Sequence, residues 1–153
     1  MFLRLLSTPL VAFTLAVGLL GCSSKDTPSP DNSPPDAGMG RYTLDGKVIQ
    51  CTASLITQSR SGQDYLLIFL TSKTPPANGY EYVRITYTKA QTQAVGSFRA
   101  SSIEYESDGK YYTFNATPST LDLTPSGGFS GKVSSSSSSG HTFSDGIFTD
   151  VRP

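Results

Sequence analysis

The 153-residue chain has no Trp, one His and two Cys, and each scarcity narrows what it can do. A single histidine, His141, excludes a metal site built from several imidazoles. Two cysteines cannot make a disulfide framework. Neither sign of charge is in excess, because 12 Lys and Arg balance 12 Asp and Glu. The basic residues form no stripe of the kind a phosphate backbone demands, which argues against nucleic acid as a partner. No segment sustains an apolar 3.6-residue period over three turns, so helix is scarce as well. The hydrophobic run at 11–20, interrupted by Thr14, falls far short of the roughly 20 residues that a spanning helix needs.

What is present at the N-terminus reads as an address. Arg4 is the only charge before Lys25, and the apolar stretch after it ends in small residues. A positive n-region followed by a short hydrophobic h-region is the anatomy of a secretory signal, assigned here to residues 1–21. Leu19-Leu20-Gly21-Cys22 resembles a bacterial lipobox. That resemblance implies cleavage between Gly21 and Cys22 and a thioether-linked diacylglycerol on the Cys22 thiol. With an acyl chain on the new N-terminus as well, three acyl chains exceed the two signals that stable anchoring requires, and the expected location is the bacterial outer membrane, lipid-anchored and not spanning it. Ser23 follows the cysteine, so the Asp signal for inner-membrane retention is missing. Cys51 is then left without an intramolecular partner. It alternates with Ala53 and Leu55 in VIQCTASL, where a small buried apolar residue is expected rather than a reactive thiol.

Residues 23–40 hold four Pro, four Ser and three Asp, with Met39 as their one large apolar side chain. Such a stretch cannot bury enough to offset its ordering entropy, so residues 22–40 are expected to be a disordered tether. At about 3.1 Å per residue it could hold a domain up to roughly 55 Å from the lipid.

Residues 41–153 are expected to form one all-β domain, an antiparallel β-sandwich or partly open barrel of about eight short strands. Asp45-Gly46 and Asp108-Gly109 each separate β-prone runs, which is a hairpin signal. DYLLIFLTS (64–72) is apolar on both faces, as in the central strand of a sandwich or barrel. The serine run at 134–139 is expected to be a mobile hairpin loop. Gly46, Gly128, Gly131 and Gly146 are placed where strands turn, bulge or approach one another, with Phe129, Phe143 and Phe148 filling the core.

Four motifs together resemble a group of small Bacteroidetes outer-membrane lipoproteins with a β-rich domain of unknown function: LDGKVIQCTA near the start, VGSF at 95–98, GGFSGKV at 127–133 and SDGIFTDV at 144–151. In that group an aromatic residue tends to follow the first Asp-Gly-Lys, where this chain has Val48-Ile49. The resemblance implies a fold and a location, and it brings no catalytic residues or cofactor.

The chemistry-bearing residues give little support to an enzyme. Asp145 and His141 could join a serine in a triad, but no G-x-S-x-G elbow is present and His141 follows the serine run, where a solvated loop residue is expected. Glu104 and Glu106 lie roughly 6–7 Å apart along one strand face, a spacing that overlaps glycosidase carboxylates, although a solvent-facing hairpin is the better explanation. Tyrosine is the more promising type. Tyr80, Tyr82, Tyr87, Tyr105, Tyr111 and Tyr112 cluster in two hairpins, and exposed Tyr offers flat amphipathic surface. Tyr80, Tyr82, Tyr105 and Tyr111 are the candidate ligand-binding residues, for a glycan or a protein partner. The alternative is that half of the six face inward as core. The expectation is a non-enzymatic, membrane-tethered accessory or binding component without a cofactor; a hydrolase is the weaker alternative.

Overall fold

The computed structural model describes residues 33–74, 79–135, 137 and 140–153. The signal segment, Gly21, Cys22 and the first part of the tether lie outside them. Nine strands follow in order: β1 (Met39–Leu44), β2 (Lys47–Arg60), β3 (Gln63–Ser72), β4 (Glu81–Ala90), β5 (Arg99–Ser107), β6 (Lys110–Asn115), β7 (Leu121–Leu123), β8 (Phe129–Val133) and β9 (Phe143–Val151). One 3₁₀ turn, Val95–Ser97, joins β4 to β5. Ordered strand thus begins at Met39, inside the last residues of the segment expected to be tether, and the Gly38 N–H donates to the Thr149 carbonyl at 2.8 Å.

All nine strands form one antiparallel sheet in the order β6-β5-β4-β3-β2-β1-β9-β8-β7, which curls into a partly open barrel. The expected all-β class is observed, in its barrel form. Apart from β6 and β7, each strand pairs with the next in sequence, and β9 returns to β1. The two-residue turns explain the tight succession. Asp45-Gly46, Ser61-Gly62 and Asp108-Gly109 each place both residues at positive φ, between 50° and 78°, the backbone of hairpin turns whose twist matches that of the strands.

The inner face is filled by side chains. Tyr42, Leu66, Ile68, Leu70, Val83, Ile85, Tyr87, Ile103, Phe114 and Phe148 are almost wholly buried, as the narrow interior of a small barrel requires. On β3 the alternation is strict: Leu66, Ile68 and Leu70 point in, while Tyr65, Leu67 and Phe69 are only half-buried. The central strand expected there is observed, in a barrel wall. A single sheet has no second layer to cover its outer face, so the second apolar stripe of β3 lies on the outside.

β9 shows why Phe143 and Phe148 both reach the core. Five residues apart, they would face opposite ways on a regular strand. A bulge at Asp145-Gly146, marked by a register shift against β1, restores the phase; Asp145 has φ 50°. A second shift, against β8, falls at Asp150 with φ 44°. Gly131 of β8 is required by the same packing, since a Cβ there would sit 2.7 Å from the Phe148 ring.

The edges of the sheet meet along a seam. Ala116 bridges Ser135 and Arg99 bridges Thr120. Thr117 N–H donates to the Ser134 carbonyl (2.8 Å) and Ala100 N–H to that of Ser119 (3.2 Å). Asn115 N–H donates to Ser137 Oγ at 2.8 Å. The described part of the serine run is therefore a strut across the seam, which corrects the mobile loop expected from its composition. At the far end of the barrel, inward-facing Lys89 pairs with Asp64 and lies 5.4 Å from the centre of the Phe98 ring.

Candidate functional site

Strand alternation sorts the six clustered tyrosines into two sets. Tyr82 of β4 and Tyr111 of β6 point outward, on opposite sides of Glu106 of β5 in one register line. Tyr80, just before β4, stands 79% exposed, and Tyr111 is 64% exposed. Tyr87, Tyr105 and Tyr112 occupy positions on the opposite face. Three of the four candidate residues, Tyr80, Tyr82 and Tyr111, thus fall on one stretch of outer wall.

Tyr105 does not join them, and its place among the candidates is corrected. It is 6% exposed, its ring stacks on Tyr112 at 5.9 Å, and its hydroxyl donates to Glu81 Oε1 at 3.1 Å. Because Glu104 and Glu106 face out, the residue between them must face in.

The outer wall contains more than tyrosine. The Tyr82 ring lies 5.8 Å from Phe69 of β3, tilted by 57°. Hydrogen bonding toward Glu106 pushes the Tyr82 hydroxyl up to about 12, with partial burial and the Glu106 charge adding to the shift. In the next register line Arg84 stands between Phe69 and Glu104 and forms an ion pair with Glu104 through Nη2. That pair raises the Arg84 pKa further, chiefly through the hydrogen bond. Arg84 Nε is buried and has no partner. Glu104 and Glu106 do share a face, as their spacing indicates, and Glu104 is engaged in the ion pair with Arg84. Phe69 and Arg84 could have been found only from the pairing of β3 with β4, which alternation alone does not reveal.

A second cluster gathers at the barrel end formed by the β1–β2 turn and the start of β9. Asp45 Oδ2 lies 2.6 Å from His141 Nδ1, and Asp45 Oδ1 accepts from Thr142 N–H at 2.8 Å and from Thr142 Oγ1 at 3.2 Å. The Asp45 N–H donates back to the Thr142 carbonyl at 2.9 Å. The His141 bond, followed by those from Thr142, holds the Asp45 carboxyl below the usual carboxylate range. The His141 ring meets Tyr112 edge-to-face at 4.5 Å and Tyr105 at 5.5 Å. His141 is therefore a clasp residue rather than the solvated loop residue expected. Asp45 is 96 positions away from it, so no motif could have signalled the pair. Among the described residues no hydroxyl hydrogen-bonds the other ring nitrogen.

Beneath this cluster Tyr42 is fully buried with its hydroxyl unpartnered. Burial, then the nearby Glu81 charge, drives its pKa well above the ordinary tyrosine value. Cys51 is free and buried, and burial pushes its thiol up to about 12, which makes it a poor nucleophile.

No family model matches the chain, and neither a curated protein nor a solved structure is similar to it.

Proposed function

We propose that this chain is a lipid-anchored protein of the bacterial outer membrane whose barrel acts by binding an envelope partner, without catalysis and without a cofactor. The observation that carries the reading is the outer wall of β4–β6. There Tyr82 and Tyr111 flank Glu106 in one register line, with exposed Tyr80 just before β4 and the Arg84–Glu104 pair in the next line. Aromatic faces with charged, hydrogen-bonding neighbours suit recognition. By contrast, the only histidine is engaged in holding two segments of backbone together. The anchoring part rests on the Leu-Leu-Gly-Cys motif and the apolar run before it, together with the resemblance to small Bacteroidetes lipoproteins.

Two measurements test the reading. Full-length chain expressed in a lipoprotein-processing bacterium should partition into the detergent phase, and Cys22→Ala should move it to the aqueous phase; detergent partitioning that survives the substitution sinks the anchor. A glycan array and an envelope-protein crosslinking screen should return ligands whose binding is lost in Tyr111→Ala and retained in Tyr105→Phe. Ligands indifferent to Tyr111 would place the contact face elsewhere.

A further inference from the structure

The contact face has a spacing and a charge that narrow its ligand, provided the binding reading above holds. We infer that it takes an extended, uncharged polysaccharide lying across the strands, with sugar rings one disaccharide repeat apart over Tyr82 and Tyr111.

The spacing comes from register. Tyr82, Glu106 and Tyr111 lie opposite one another on three successive strands. Two inter-strand steps separate the tyrosines by about 10 Å, the length of one disaccharide unit in an extended chain. The Tyr82 ring packs against Phe69 and stands beside Glu106 in the same register line. One platform is therefore preorganised, which lowers the ordering cost of binding. Tyr111 is free to lie flat under a sugar ring.

Charge supplies the second restriction. Arg84 is committed to Glu104, and among the described residues Glu106 has no ion pair. Asp108 and Lys110, in the adjoining turn, offset each other. The centre of the face therefore carries an uncompensated carboxylate, which only accepts hydrogen bonds. Sugar hydroxyls can donate to it. A uronate or sulfate would instead bring like charge against it in a partly desolvated contact. A protein partner fits less well, because protein interfaces are depleted of charge at their centre, whereas this face has its charges in the middle and its aromatics on the flanks.

The test is a binding titration of the full chain followed by intrinsic fluorescence, which is tyrosine emission alone because the chain has no Trp. The probes are β-1,4- and β-1,3-linked glucose hexasaccharides and a galacturonate hexasaccharide. At least one neutral probe should bind, and the galacturonate at least tenfold more weakly. Tyr111→Ala should weaken neutral binding about tenfold or more, Tyr105→Phe should leave it unchanged, and Glu106→Gln should shrink the preference for neutral over acidic sugar. Equal or tighter binding of galacturonate, or a preference unmoved by Glu106→Gln, overturns the inference while leaving a glycan-binding face in place. Failure of every hexasaccharide, with a Tyr111-dependent crosslink to an envelope protein, overturns the glycan and keeps the face. Failure of both overturns the inference and the reading beneath it.

Discussion

The wall from β2 to β5 and the seam between β6 and β8 enclose the same core by different means. The first is zipped: β2 and β3 pair without interruption from Cys51–Ser72 to Arg60–Gln63, and β3 with β4 from Gln63–Ala90 to Thr71–Tyr82. The second is pinned at separate points by two isolated bridges and a serine hydroxyl, and beside it the Asp45–His141 clasp ties the β1–β2 turn to the start of β9. A zipped wall follows from local rules of alternation and turn chemistry, and it opens only when the core opens. A pinned wall depends on partners far apart in sequence and can give way alone.

The largest contrast should come from the zipped side. Ile85, fully buried on β4, leaves a cavity when truncated, so Ile85→Ala should lower global stability by about 2–5 kcal/mol in urea denaturation. A loss confined to the amides of one hairpin would contradict a continuous wall.

Beside the seam the expected effect is local. Asp45→Ala removes the acceptor for His141 and Thr142, and amide exchange at the N-terminal end of β9 should accelerate on the order of tenfold while β3 and β4 keep their protection. In a Cys22→Ala background, labelling of buried Cys51 on β2 should track unfolding of the zipped wall and ignore this substitution. Labelling that rises with Asp45→Ala would show the two regions to be coupled.

Acidification should weaken both regions at identifiable positions. Asp45, held low chiefly by His141, ties the β1–β2 turn to the start of β9 beside the seam. Asp64, held low chiefly by Lys89 and then Ser59, serves the zipped wall. Asp150, held low by Arg152, Ser126 and Thr124, fixes the β7–β8 turn. Each carboxyl binds its proton less readily folded than unfolded. Its stabilisation is therefore complete above the ordinary carboxylate pKa of about 4 and is lost as pH falls through the lowered folded value. The urea midpoint should fall steadily from pH 5 to pH 2, and less steeply in Asp45→Asn. A midpoint that rises over this range would reverse the assignment.

The smallest expected effect is that of Ser137→Ala. It deletes one exposed hydrogen bond to Asn115 N–H and should cost under about 0.5 kcal/mol, visible as faster exchange at Asn115 alone.

What could be read in advance follows the same division. Asp45-Gly46 and Asp108-Gly109 announce their hairpins because two adjacent residues must adopt positive φ there. The inward position of Tyr105 was legible too, since it alternates with Glu104 and Glu106; counting it as a surface residue set that period aside. The serine run misled because composition reports entropy and not the partner across a gap: Ser135 is held by Ala116, and Ser137 by Asn115. Phe143 and Phe148 were placed in the core from their type, yet the bulge at Asp145 that lets both arrive there appears only in the register against β1. On the contact face the tyrosines were legible singly. Their alignment with Glu106 required the pairing of three strands.

The ends of the fold have a consequence for how that face is presented. β1 begins and β9 finishes at the same end of the barrel, where Gly38 is bonded to Thr149. Tyr82 and Tyr111, each the second residue of a strand running the other way from β1, lie toward the opposite end. Any attachment made through the residues before Met39 therefore joins the barrel at the end away from the aromatic wall.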